Sequence, residues 1–227
     1  MPTLLGGYFL GLVLGLRHAL EPDHLMAIST LLSEKRQRGH PLLLGATWGL
    51  GHTLALFVVG GGLALLQHQM PRRWEASFEA AVGAMLIFLG TRAVLRAVRE
   101  SRAGPDEAHL HGKVFHHHTA IREHLHGGPW IVSRRPLLIG LVHGLAGSGA
   151  ITALVLAELP GSSSRLIYIA LFGLGSLCGM GLLTWVAGSS VKRLSGFGRA
   201  PSYLLGVAGT CSSLFGLFWM TAALERL

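Results

Sequence analysis

Four stretches of this chain, residues 42–66, 137–157, 166–188 and 203–224, hold no aspartate, glutamate, lysine or arginine at all. A helix takes roughly 20 residues to cross about 30 Å of hydrocarbon, and within lipid it satisfies its backbone hydrogen bonds inside its own segment. All four stretches therefore read as membrane spans. Composition points the same way: only 13% of the 227 residues are charged and 50% are hydrophobic, whereas a soluble domain carries about 25% charged residues.

Two further spans complete the set. Residues 76–98 form a fifth, with Glu79, Arg92 and Arg96 toward its ends, where long side chains reach the interface. The sixth is the opening segment. "TLLGGYFLGLVLGL" is too short to cross alone and does so only by continuing through a charged cluster into "LMAISTLL". A secretory signal peptide would want a basic start and a small-residue cleavage site; neither is present. The expected fold is an all-α integral membrane protein of six transmembrane helices.

The net charge of +8 is sorted by side. The loops after the first, third and fifth helices hold 14 of the 19 lysines and arginines, three at positions 35–38, eight from Arg92 to Arg135 and three from Lys192 to Arg199. The opposite side holds four, Arg72, Arg73, Arg165 and Arg226. By the positive-inside rule the first group is cytoplasmic and both termini lie outside. The basic balance thus reports topology in a cell membrane, with the lipid bilayer rather than nucleic acid as partner.

The two halves of the chain resemble each other at an offset of 124 to 126 residues. "GLRHAL" (Gly15 to Leu20) matches "GLVHGL" (Gly140 to Leu145), which pairs His18 with His143. "WGLGHT" (from Trp48) matches "FGLGSL" (from Phe172), and Gly83 and Gly90 match Gly209 and Gly216. A unit of three helices has an odd number of crossings, so its second copy enters from the opposite face: an inverted repeat, as in many secondary transporters. The expected division is a first repeat over 1–98, a linker over 99–134 and a second repeat over 135–227. Helix packing accounts for most of the 32 glycines, since small residues let membrane helices approach closely.

Between the two apolar parts of the first span lies "RHALEPDH", residues 17–24. Charged groups at membrane depth cost several kcal/mol and serve a pathway or pair with one another. In a straight helix His18 and Asp23 would lie about 140° apart, too far round for one small ligand. Pro22 has no amide hydrogen, and its ring clashes with the carbonyl four residues back, that of His18. A break between residues 18 and 24 turns His18, Asp23 and His24 toward one point. Two imidazoles and a carboxylate suit nickel, cobalt, zinc or iron, and the lack of nearby thiolates argues against copper(I). A proton relay and an ion pair of Asp23 with Arg17 are the alternatives.

Two other histidines sit at membrane depth. His52 follows Gly49 and Gly51 in the second span and reads either as a hydrogen-bonded core residue or as a further ligand. His143 is placed opposite His18 by the repeat, and the glycines of "HGLAGSGA" mark either a tight helix contact or a second interrupted helix. In the linker, His109, His111, His116, His117, His118, His124 and His126 form a tract that collects transition metals weakly or is simply solvated; a short helix over 119–125 is one reading of its middle. Cys178 and Cys211 form no C-x-x-C and read as small packing residues.

"RHALEPDH", followed by "GLGHT" in the next helix, resembles the nickel/cobalt transporter family, whose signature is an RHA start and an H-x4-D-H motif on one helix and Gly-His-Ser/Thr on the following one. The six-span layout with a histidine-rich middle loop is similar to the smaller branch related to urease accessory permeases and nickel/cobalt efflux proteins. The resemblance implies that His18, Asp23 and His24 are essential metal-site residues and that His52 is the next helix's contributor. It also implies a divalent metal ion as substrate, Ni2+ and possibly Co2+, with no resident cofactor and no enzymatic activity. The acidic residues that larger permeases carry in later motifs are absent here, and His143 substitutes in part.

The leading expectation is a divalent-cation permease with His18, Asp23, His24, His52 and His143 as transient ligands and Arg17 and Glu21 at the rim. Uptake is favoured over efflux. A cytoplasmic metallochaperone is the partner expected at the histidine loop. A membrane thiol oxidoreductase would need a repeat-related cysteine pair, but the offset maps Cys178 and Cys211 near positions 53 and 85, which hold none. A metal-dependent membrane hydrolase would need a carboxylate base beside the ion, for which Glu21 is the nearby candidate.

Overall fold

A computed structural model describes residues 2–32, 40–102, 134–194 and 200–227, and among them all regular structure is helical. The opening segment forms two helices, α1 (Pro2–His18) and α2 (Pro22–Leu32). Pro22 does not kink a continuous helix, because it begins a new one. As a first-turn residue its missing N–H costs nothing. The Leu20 and Glu21 amides meanwhile donate to the Arg17 and His18 carbonyls at 2.9 and 3.0 Å, closing α1 with a tight turn.

Helix α3 (Pro41–Ala55) starts on His40, whose side chain accepts from the Leu42 amide, with Pro41 next. It continues through one π-helical turn, Leu56–Gly60, into α4 (Gly61–Leu66). Gln67, in the left-handed conformation at φ 55°, ends it. Then come α5 (Arg72–Arg102), α6 (Arg134–Glu158), α7 (Ser162–Leu194) and α8 (Ala200–Leu224). Five segments are long and apolar enough to cross a membrane: Pro41–Leu66, Arg72–Arg102, Arg134–Glu158, Ser162–Val191 and Ala200–Leu224. At 17 and 11 residues, α1 and α2 fall short singly.

The surface is rich in exposed apolar side chains, and the interior holds polar residues beside its apolar core. Phe9, Phe88 and Phe218 are 68%, 63% and 66% exposed, whereas His24, His52, His143, Thr152, Ser176 and Ser212 are buried. That arrangement suits a bilayer, which solvates phenylalanine and rejects imidazole. The two cysteines correct the sequence reading: both lie on the outer surface, on α7 and α8, rather than in packed positions. Where the solvent is itself apolar, a thiol gains nothing by burial.

Close backbone approach ties the helices together. A Cβ on Gly140 of α6 would overlap the Trp48 carbonyl of α3, and one on Gly15 of α1 would overlap the Phe172 carbonyl of α7. Gly60 and Gly61 lie against α6 and α7 near Thr152 and Leu166, so the 67–71 and 159–161 connections share one end of the bundle. At the other end Gly188 meets Pro41. Behind the break in the first segment, Ala27, Ile28, Trp48, Leu86 and Met180 pack into an apolar core.

Candidate metal centre

The turn between α1 and α2 delivers His18 at the last residue of one helix and Asp23 and His24 in the first turn of the next. Since α2 takes a new direction, the angular separation that a straight helix would impose no longer applies. Helix α3 brings His52 alongside, and α6 brings His143.

The five side chains meet. His18 Nε2 lies 3.2 Å from His52 Nε2, so one ring donates to the other. His24 Nδ1 and His143 Nε2 each donate to Asp23, at 2.9 Å to Oδ1 and 2.9 Å to Oδ2. Glu21 Oε2 accepts from His18 Nδ1 at 3.0 Å. Ring centroids of His24 stand 4.6 Å from His18, 5.3 Å from His52 and 4.5 Å from His143. One donor atom each from His18, His24 and His52 lies within 4.8 Å of the others, and the same holds for Asp23, His24 and His143. His24 belongs to both trios.

The second ring nitrogens of three histidines have no partner: His24 Nε2, His52 Nδ1 and His143 Nδ1 are buried without a hydrogen bond. An orphaned buried polar atom costs about 1–3 kcal/mol. On a neutral ring that already donates its one N–H, as His24 and His143 do to Asp23, the orphan is a bare lone pair, which is what a transition-metal ion binds. A cavity of about 790 Å3 reaches His18, Asp23, His24 and His143. His52, fully buried, does not border it.

Sequence reasoning left one alternative open at His143, and the structure decides it: α6 is unbroken from Arg134 to Glu158, so the local glycines serve close packing. Gly144 lies where a Cβ would meet the His52 carbonyl and the Ala55 side chain. Arg17 and Glu21 both border the cavity. The seven linker histidines at 109, 111, 116, 117, 118, 124 and 126, and the short helix expected over 119–125, lie outside the described residues. Two neighbours of the centre went unnoticed in the sequence. Trp48, one turn before His52, sets its ring 5.4 Å from His24 and 5.8 Å from His143. Glu75 borders the cavity from α5; a carboxylate just ahead of a span on the lysine- and arginine-poor side was the available signal.

Lipid-facing helices around a buried group of four imidazoles and a carboxylate define a multi-pass membrane protein with an intramembrane polar centre. The particular family follows from comparison: residues 5–184 match NicO, described as high-affinity nickel-transport protein, and the chain belongs to that family of transporters, not of enzymes. It is 32% identical over 220 residues, 93% of its length and 89% of the relative's, to a "Urease accessory protein UreH" from Bacillus sp. (strain TB-90). It is 33% identical over 98 residues to a "High-affinity nickel transport protein" from Cupriavidus necator, covering 43% of this chain and 27% of that one. No solved structure matches.

Proposed function

We propose that the chain takes up divalent transition-metal cations, nickel foremost and cobalt beside it, through the centre formed by His18, Asp23, His24, His52 and His143. The observation that carries this reading is the pair of trios sharing His24. Neutral imidazoles and one carboxylate are borderline donors that suit Ni2+ and Co2+, and three ring nitrogens of the centre are buried without a partner. An ion held by three or four such ligands is bound firmly enough to be selected, and two overlapping sets let it pass on rather than stay. The printed names of the two relatives, one a nickel transport protein and one a urease accessory protein, support nickel as the cation.

In this reading α1 and α2 together make the first of six crossings. The halves 1–98 and 135–227 are inverted repeats joined by the 99–134 linker. Paired contacts support the repeat: Gly15 meets Phe172 as Gly140 meets Trp48, and Gly175 meets the Leu12 carbonyl as Gly51 meets that of Leu137. Loop charge puts both termini outside and the histidine tract in the cytoplasm, where it receives incoming ions or passes them to a metallochaperone.

The test is accumulation of radioactive Ni2+ and Co2+ in cells with and without the protein, beside His18→Ala. The expected result is a rise that His18→Ala abolishes at equal protein level. A fall in cell metal would establish efflux instead, and unchanged metal in every case would remove the transport reading.

A further inference from the structure

The cavity beside the histidines is bordered by four carboxylates, Glu21, Asp23, Glu75 and Glu79, and by a single guanidinium, Arg17. Three of the carboxylates are committed. Asp23 accepts from His24 and His143, Glu21 pairs with His18, and Glu79 pairs with Arg226. Glu75, half-buried in the first turn of α5, has no hydrogen-bond or ion-pair partner among the described residues.

Its place is built by the neighbouring helix. A Cβ on Gly149 of α6 would come within 2.8 Å of Glu75 Oε1, so the carboxylate rests against the bare backbone of that glycine. The same cavity is lined by His24 and His143, 1% and 2% exposed, each carrying a ring nitrogen without a partner. Glu75 is in neither group of donors that comes within 4.8 Å. A cation beside Glu75 therefore keeps its water and is held by charge alone, and it loses water only on reaching the imidazoles.

Resting on the histidine centre as the transport site, we propose that this cavity is the vestibule by which the hydrated cation approaches from the end of the bundle carrying residues 67–71, and that Glu75 is the carboxylate that draws it in. A cleft of one charge sign with low-dielectric walls focuses the field and raises the local concentration of the opposite ion. That end carries only Arg72, Arg73, Arg165 and Arg226 of the chain's 19 lysines and arginines, and Arg226 is paired with Glu79.

Initial rates of Ni2+ uptake by cells making the full-length protein test this, in sucrose-balanced medium at low and at high ionic strength. Glu75→Gln, which keeps shape and packing on Gly149, is expected to raise the KM about three- to tenfold at low ionic strength with Vmax held. The difference should close at about 1 M salt, where the screening length is about 3 Å. Glu75→Lys should move the KM further the same way. A KM unmoved at low ionic strength, a shift insensitive to salt, or a fall in Vmax alone would overturn the proposal. His18→Ala separates the two readings: inactive His18→Ala beside a salt-insensitive Glu75→Gln rejects the vestibule only, whereas active His18→Ala rejects the transport site beneath it.

Discussion

Asp23 fixes two imidazoles with one carboxylate, and both hydrogen bonds run between different helices or across the first turn of a new one. Replacing it by asparagine keeps the volume but removes the charge and turns one acceptor into a donor, so His24 and His143 cannot both donate to it. Hydrogen bonds to a charged group contribute about 1.5–3 kcal/mol, and each 1.4 kcal/mol is about tenfold in an equilibrium. Asp23→Asn should therefore lower Ni2+ uptake at least about tenfold at unchanged protein level, read as cell-associated metal against an immunoblot. The residues of the centre were legible because ionisable groups stand out in an apolar sequence. His52 and His143, single rings with no charged neighbour in sequence, left two readings each. Glu75 and Trp48 were not singled out, because an acid in a first helical turn and a tryptophan in an apolar span are both ordinary.

At the scale of the helix, what holds the centre together is backbone contact between α3 and α6 and between α1 and α7. Gly140→Ala would drive a methyl into the Trp48 carbonyl. Overpacking of this kind costs about 1–3 kcal/mol, and about 2–4 °C of melting temperature accompanies each kcal/mol in a chain of this size. Thermal unfolding in detergent should show that fall, while Gly62→Ala, with nothing within 4 Å of its added Cβ, should melt like the wild type. The break at residues 19–21 could be anticipated from Pro22, although proline opens a helix there rather than bending one. No pattern announced the π-helical turn at Leu56–Gly60, since its residues are as apolar as those before it. The outward cysteines were misread because their burial in soluble proteins answers to water, which is absent around these helices.

The whole molecule is a set of lipid-facing helices, and four of its five long spans were readable from charge-free runs, the fifth, Arg72–Arg102, carrying charges toward its ends. Their assembly was less so: that α6 should meet α3 beside the break depended on a weak repeat, and the cavity depends on small residues of α6 facing acids of α5. The proposed orientation rests on where the lysines and arginines lie. Alkaline phosphatase fused after Leu227 should be active and the same enzyme inserted within 103–133 inactive; the reverse result would turn the protein over in the membrane and make the Glu75 side the cytoplasmic one.

Trp48 stands behind the histidines, 1% exposed, with Ile28, Leu86 and Met180 packed in the same core. None of these four borders the cavity. An indole braced by aliphatic side chains is a stopper rather than a pore lining. If the cation crosses at this centre, flux past the indole is expected to proceed by turnover, one ion for each rearrangement, and so to saturate with concentration and carry no measurable single-channel current.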